Sequence, residues 1–465
     1  MSGRIVDVAI AGGGPAGAFA ALSLARAGAV VALVDPETTR PRLEGLSPRV
    51  ADLLLRHHLA SAFGATTDPL ARKVSWGALP GRPNTERLVA RDRFDSTLRI
   101  EAGYAGVRLL RGRLERLIRH DPYDGVELQL SSGDNVRARV MIDARGRRAP
   151  TRAKIRGPQT LAISALLADA RDDAPRAEVI ATRQGWLWAA HHPALGRWLQ
   201  ISVDADDLAG SGSCALTARM KRFLAQSGLE PIAGADLSAL RPLARHAGIA
   251  LKADRFKPPV MPIGDAAVAL DPLSGHGLFW ALSSALSALP LTAHLLDDPA
   301  DQNGLAQRFF QDRVVATFWR QARIGRDFYR LATGFADVPF WRDRAAWPDD
   351  RPAHDTVNAA RAERRVVVEA NRLVERDVLI TPLDPDGVAF VCGLPATELL
   401  ARAQVASPHS VTPSELLPEL PPERAKLALG WLRSRGLLDL PSRSIPGITG
   451  PDDGDQTNQE TRDTA

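Results

Sequence analysis

The sequence predicts a mixed α/β protein with three parts: a Rossmann-like domain, a second β-sheet inserted into it, and a compact helical module near the C-terminus. Three observations predict this. A glycine-rich turn, Gly12-Gly13-Gly14-Pro15-Ala16-Gly17, directly follows the apolar run Val6 to Ala11. A second turn, Pro262-Ile263-Gly264-Asp265-Ala266-Ala267, lies about 250 residues downstream and runs on to Asp271-Pro272-Leu273-Ser274-Gly275-His276-Gly277-Leu278. Between them, residues 158–205 are rich in strand-forming residues.

The first turn can be justified residue by residue. Ile5, Val8 and Ile10 build a buried strand, and Gly12, Gly14 and Gly17 fit G-x-G-x-x-G. The first glycine makes the tight turn, the second admits a diphosphate to the backbone, and the third lets the helix pack on the sheet. A helix over Ala16 to Ala27 follows, with its free N–H groups facing the anion. Gly28 ends it, and the strand Val30 to Val34 delivers Asp35, whose carboxylate accepts from a ribose hydroxyl and repels a 2′-phosphate.

Further along, Pro48 to Leu59 has helical apolar spacing, Arg91-Asp92-Arg93-Phe94-Asp95 opens another helix, and Val107 to Leu109 is a short strand. Residues 113–141 alternate as a meander that ends at Asp143-Ala144-Arg145-Gly146. Leu161 to Leu167, Val179 to Ile180, Trp186 to Ala190 and Trp198 to Val203 supply the second sheet. Val260 to Ile263 returns to the first sheet, Gly277 to Leu296 is a long apolar helix, and residues 300–376 read as helical. Glu398 to Ala406, the capped start at Val411 to Leu417, and Pro422 to Arg435 are three short helices of a winged-helix-like module. The expected division is 1–75 plus 100–156 plus 255–300 for the nucleotide domain, and 76–99 plus 157–254 for a substrate-binding sheet domain. It continues with 301–382 for a helical segment, 383–440 for the module, and 441–465 for a disordered, Pro/Gly/Asp-rich tail.

Composition narrows the function. At 465 residues the chain has room for two or three domains, and its hydrophobic and charged fractions of 45% and 24% are ordinary. No apolar run is expected to reach the roughly 18 residues of a membrane span, so no membrane association is expected. The first apolar stretch leads into the nucleotide turn and does not read as a signal peptide. Cys214 and Cys392 give neither a disulfide framework nor metal spacing, so a reducing cytoplasm and no metal are expected. The net charge of +5 invites a nucleic-acid reading, but only six of the 59 basic residues are lysines and the arginines are scattered. A solvated arginine-rich surface explains this better, and no nucleic-acid partner is expected.

The paired turns, with Glu44-Gly45-Leu46-Ser47-Pro48-Arg49, Arg93-Phe94-Asp95, Asp143 to Gly146, Gly185-Trp186-Leu187-Trp188 and Asp204-Ala205-Asp206, resemble a known family. The chain is similar to the FAD-dependent class A monooxygenases of the para-hydroxybenzoate hydroxylase type. Within them it resembles the branch of flavin-dependent halogenases and quinone-maturing flavoproteins. Its likeness is strongest to peptidyl tryptophan hydroxylases that build the tryptophylquinone of quinohemoprotein amine dehydrogenase.

The resemblance implies a glutathione reductase-2 type FAD domain. In it Gly12, Gly14, Pro15, Ala16, Gly17 and Asp35 hold the ADP half. Arg49 and Arg93 lie near the phosphates or the ring, and Asp143 and Gly146 flank the site. Gly264 and Asp265 hold the ribityl chain, and Pro272, Gly275, Gly277 and Leu278 lie along the flavin.

The implied reaction is hydroxylation of an aromatic ring, a tryptophan in a protein or peptide substrate, during quinone cofactor biogenesis. It would take O2 and a reduced nicotinamide or other electron donor, with a partner maturation enzyme alongside. His276 is the candidate base because it lies in the flavin loop; a capping role is the plain alternative. His191 and His192 come second. Trp186 and Trp188 share one face of a strand and, with His191, would line the substrate pocket, or they are core. The aromatics Phe309, Phe310, Phe318, Trp319, Phe328 and Tyr329 form either a wall or ordinary packing.

Halogenases carry Trp-x-Trp-x-Ile-Pro and a lysine between flavin and substrate. Here both tryptophans are present, Ala190-His191 replaces Ile-Pro, and Lys73 lies in an ordinary strand pattern. A halogenase using Lys73, a flavin reductase of an apolar substrate and a non-catalytic FAD-bound scaffold stay open.

Overall fold

The computed structural model describes residues 5–38, 41–77, 84–120, 124–167, 174–205, 212–229, 241–354, 356–405 and 412–438. The chain forms two compact units, residues 1–353 and 354–465.

In the first unit, seven strands make the nucleotide sheet. Arg108–Arg111, Val31–Asp35, Val6–Ala11, Asn135–Asp143 and Val260–Pro262 run parallel, and Val126–Leu130 and Leu114–Arg119 add an antiparallel edge. The register levels their carboxyl ends: Ala11 pairs with Val34 and with Asp143, and Asp143 pairs with Pro262. The turns after these strands therefore converge on one edge, the ligand edge of open α/β sheets. Pro15–Arg26 is the expected first helix, packed against Arg91–Tyr104 on one flank and Gly277–Asp297 on another.

The inserted sheet has eight strands, ordered Leu243–His246, Thr160–Leu167, Gly196–Asp204, Gly185–His192, Arg176–Thr182, Leu70–Ser75, Asn84–Ala90 and Leu43–Leu46. Two of these, Leu43–Leu46 and Leu70–Ser75, fall where the nucleotide domain was expected to be continuous. Conversely, the helix Arg91–Tyr104 lies against the nucleotide sheet's first helix, although residues 91–99 were expected in the substrate domain. Thr160 to Val203 supply the expected strands. One face of the sheet carries Leu161, Ile163, Leu187, Ala189, Leu199, Ile201 and Val203, covered by Met220, Phe223 and Leu224 of the helix Ser213–Gln226. The other carries Trp186, Trp188, Trp198 and Leu88, packed with Tyr329, Phe340 and Trp341 of two helices, Ala316–Arg330 and Pro339–Ala346.

Gly277–Asp297 is, by length and composition, apolar enough to cross a membrane. The simple run count passes over it because Ser283, Ser284 and Ser287 interrupt the sequence. Their hydroxyls donate to backbone carbonyls one turn back, and Leu282, Ala285, Ala288, Leu291 and Leu295 are buried in the unit.

The helical expectation for 301–382 holds only in part. Leu305–Phe310, a π-helical turn Gln311–Val315, Ala316–Arg330 and Pro339–Ala346 are helical. Residues 361–381 instead form a hairpin in the second unit: Arg361–Glu369 pairs antiparallel with Arg372–Thr381, which also pairs with Asp384–Val388. Ala370 and Asn371 both have positive φ, 47° and 61°, giving the left-handed two-residue turn that hairpins require. Val366-Val367-Val368 is the β-branched run that favours a strand over a helix.

The three short helices form as Ala396–Val405, Pro413–Leu416 and Pro422–Ser434, after the strands. They share a core of Leu399, Leu400, Leu417, Ala428, Leu429 and Leu432 with Leu379 of the hairpin. The expected cap is a reciprocal box: Glu415 N–H donates to Thr412 Oγ1, and Thr412 N–H to Glu415 Oε2. The segment 441–465 lies outside the described residues.

Candidate functional site

The first turn closes as its glycines require. Gly12 has φ +108°, and a Cβ there would lie 2.5 Å from Ala144 O. A Cβ on Gly17 would lie 1.8 Å from Gly12 O, so only glycine lets the helix start this close to the strand. Gly14 is different: a Cβ on it meets no protein atom within 4 Å. Its smallness serves no packing need of the chain and leaves the helix N-terminus open to an anion. Asp35 sits across the turn, accepting from Gly13 N–H at 2.6 Å and from Glu37 N–H at 2.7 Å. Arg99, not foreseen, donates to Gly13 O at 3.0 Å. It lines a cavity of about 410 Å³ with Asp92, Arg93, Ser96 and Thr97, so Arg93 lies beside the first turn.

The second turn meets the first. Gly264, φ +54°, stands so close to the helix start that a Cβ would lie 3.0 Å from Ala16 Cβ, and its N–H donates to Ser284 Oγ at 2.9 Å. Asp143 is buried and held by Arg145, and Gly146 leads to Arg147. Arg147 pairs with Asp265 Oδ2 at 3.3 Å and donates to Gly248 O and Leu270 O. Burial pushes the Asp265 carboxyl up, with Arg147 opposing.

The loop Asp271 to Leu278 continues from there. Gly275 is left-handed at φ +61°, and the open N-terminus of Gly277–Asp297 follows. Like Gly14, Gly277 faces open space. Asp271 Oδ1 accepts from Leu273 N–H at 2.9 Å and from Tyr329 Oη at 3.2 Å. Burial raises both of those side chains, well above the usual range for the Tyr329 phenol.

His276 is half-buried, with Nδ1 3.4 Å from Gln321 Oε1. Burial lowers its pKa, Gln321 opposes this, and the charges of Arg49 and Arg72 deepen it. Arg49, expected near the phosphates or ring, stands close enough to this loop for its charge to act on His276.

Two ionic groups escaped the sequence reading. In the first, Glu44 is ringed by Arg42 at 2.9 Å, Arg91 at 2.7 Å and Arg245 at 3.8 Å. Burial alone would raise the Glu44 carboxyl, but the three guanidiniums overcome it and hold it well below the carboxylate range. Glu44 draws Arg42 upward, yet burial and the charges of Arg91 and Arg245 bring it down to about 10. In the second, Glu86 accepts from Trp188 Nε1–H at 3.2 Å and pairs with Arg72 at 3.5 Å. The available signal was Glu86 itself, a charge at an inward position of the alternating strand Asn84–Ala90.

Trp186 and Trp188 share the face that Tyr329 occupies and are nearly covered there, with Trp76 6.3 Å from Trp186 between ring centroids. Of the helical aromatics, Phe309, Phe310 and Phe318 are core, and Tyr329 joins the wall. His191 is a correction. Side chains alternate along a strand, so His191 stands on the opposite face with Leu187 and Ala189, one sheet thickness from the tryptophans. Lys73 is exposed on Leu70–Ser75, and by the same alternation it points away from the face that Arg72 presents to Glu86.

His294, Asp298 and Asp301 also converge, an arrangement not foreseen. Three of the four carboxylate oxygens are already engaged: Asp301 accepts from His294 and from the N–H groups of Ala306 and Gln307, and Asp298 Oδ2 from Gln302 N–H.

Residues 89–381 match the tryptophan halogenase family. The chain belongs to that family. It is an FAD-dependent oxidoreductase. The residues present fit the cofactor: Gly14 and Gly277 open a cradle at both turns, and the shielded Ser47 Oγ and Arg72 Nε have no hydrogen-bond partner among the described protein groups.

Among solved structures, the chain is similar to the peptidyl tryptophan dihydroxylase QhpG, essential for tryptophylquinone cofactor biogenesis. The likeness has 32% identity and a TM-score of 0.79, covering 93% of this chain and all of that one. It shares its fold with the flavin-dependent halogenase CmlS, at 20% identity and a TM-score of 0.67 over 93% and 96% of the two chains. Menaquinone reductase of Mycobacterium tuberculosis strain H37Rv is 34% identical over 167 residues. That match spans 32% of this chain and only 40% of the reductase.

Proposed function

We propose that the protein is an FAD-dependent monooxygenase that hydroxylates a tryptophan ring held in a polypeptide, in the biogenesis of a quinone cofactor. The observation that carries this is the likeness to the peptidyl tryptophan dihydroxylase, which runs the full length of that enzyme and includes the C-terminal unit.

When bound, FAD supplies the activation of O2. The chain's own residues do the rest. The two glycine turns bind the cofactor, with Asp35 set for the ribose and helix N-termini at the diphosphate and the flavin loop. The aromatic wall excludes water from the loop's flank. His276, kept unprotonated at neutral pH by burial and the arginines, accepts the proton that the ring carbon releases when it gains oxygen. The second unit recognises the polypeptide, since a flavin pocket alone offers too little area for a macromolecule. O2 and a reduced donor complete the stoichiometry, and a maturation enzyme acts on the same polypeptide.

Halogenation is disfavoured by the outward Lys73 and by Ala190-His191 in place of the Ile-Pro signature. Apolar-substrate reduction rests on a likeness to part of a reductase.

The test offers tryptophan-containing polypeptides to the protein with FAD, reductant, O2 and halide. A mass gain of 16 or 32 per tryptophan supports hydroxylation. A halogen mass, a gain of two hydrogens, or no change with bound FAD would establish one of the alternatives instead. A chain ending at Ala353 should bind FAD but lose polypeptide turnover. Ending it at Arg376, inside the strand Arg372–Thr381, would only break the hairpin.

A further inference from the structure

We propose that the Arg72–Glu86 pair sets the redox potential of the bound flavin, with Arg72 placing positive charge beside the Gly275 loop and Glu86 offsetting it. The inference rests on the FAD reading above, with the ring along Pro272 to Leu278.

The geometry joins three elements. Arg72 Nη1 lies 3.7 Å from where a Cβ on Gly275 would stand, so the guanidinium abuts the loop itself. The same nitrogen is 3.5 Å from Glu86 Oε2, and the Glu86 side chain is only 6% exposed against 24% for Arg72. Glu86 is clamped on its other sides: Trp188 Nε1–H donates to Oε1, and Gly45 presses so close that a Cβ there would meet Oε2 at 2.2 Å. The carboxylate is thus held in place, and the Arg72 guanidinium is the positive end of the pair at the loop. Burial pushes the Glu86 carboxyl up, and Arg72 and the Trp188 N–H oppose that rise. Other charges that act on the loop are Arg49, which acts with Arg72 on His276, and Arg344 and Arg147, which act on Asp271.

Reduction of flavin by a hydride donor adds two electrons and one proton, a net gain of one negative charge. A cation beside the ring stabilises that charge more than it stabilises the oxidised form, and a partly shielded site preserves the effect. Removing the Glu86 charge should raise the potential, and removing the Arg72 charge should lower it. A packing role would not give opposite signs.

The test reduces the full-length, FAD-loaded protein against a reference dye and reads the flavin absorbance. Glu86→Gln should shift the reduced-to-oxidised ratio at fixed potential about tenfold toward reduced, roughly +30 mV for a two-electron couple. Arg72→Met should shift it by a similar factor the other way, the double variant should return close to the parent, and Lys73→Met should leave it unmoved. If Glu86→Gln does not fold, Arg72→Met against Arg72→Lys carries the same comparison, because lysine restores the charge. Normal FAD content with both single variants unmoved, or moved in the same direction, overturns the inference. Failure of the parent protein to take up FAD overturns the cofactor reading instead.

Discussion

The two faces of the eight-stranded sheet are built from different chemistry. One is mainly aliphatic: Leu187, Leu199, Ile201 and Val203 meet Met220, Phe223 and Leu224, with the buried His191 and Arg197 paired at one end of it. The other is aromatic and ionic: Trp76, Trp186, Trp188, Tyr329 and Trp341 share it with Glu86 and Arg72, and through Tyr329 and Arg72 it touches the Asp271 to Leu278 loop. Buried charge and covered indoles weaken a core unless each polar group is satisfied. Here they border the Asp271 to Leu278 loop, the segment proposed to serve the cofactor. The sheet is thus a scaffold on one side and a site wall on the other, and substitutions on the two faces should fail in different ways.

The largest effect is expected at the loop. His276→Ala should retain FAD and lower turnover by roughly two to four decades. Because burial and the arginines depress its pKa, the acid limb of the parent's pH–rate profile should lie below the ordinary imidazole value of about 6.5. Activity there falls as pH drops and the imidazole takes a proton. His276→Ala should lose that limb, and unchanged turnover would return the residue to a capping role.

On the aliphatic face, Ile201→Ala should cost about 2–5 kcal/mol in denaturant unfolding, with turnover per folded molecule near the parent's. A selective loss of turnover would erase the distinction between the faces. On the aromatic face, Trp188→Phe keeps an aromatic ring but removes the N–H that Glu86 accepts. About 1–3 kcal/mol of stability should go with it, together with about a tenfold loss of turnover. Loss of stability alone would make the wall mere packing. The smallest effect is expected at Lys73: Lys73→Met should stay within about twofold of the parent in turnover, whatever halide is supplied.

The nucleotide edge was legible because its signals are local. Apolar period, glycine spacing and an acidic strand end fix Gly12 to Gly17 and Asp35 without knowledge of the sheet. The likeness of the second turn then paired it with the first. The Arg72–Glu86 pair was not legible, because it depends on the register that sets Leu70 opposite Glu86 across neighbouring strands. Glu44 likewise needed Arg245 brought from two hundred residues away. The hairpin at 361–381 was missed because its turn is Ala370-Asn371, without the glycine that usually marks one. His191 could have been set apart from the start: the alternation that joins Trp186 to Trp188 also sends position 191 to the other face.

The most direct test of oxygen transfer to a polypeptide tryptophan is labelling with ¹⁸O2. The FAD-loaded protein, a reductant and a tryptophan-containing polypeptide substrate are incubated under ¹⁸O2 in ordinary water, and the modified residue is located by fragment mass. Each inserted atom should add 18 mass units to one indole ring. Product oxygen drawn only from water, or a halogenated or merely reduced product, would contradict the assignment.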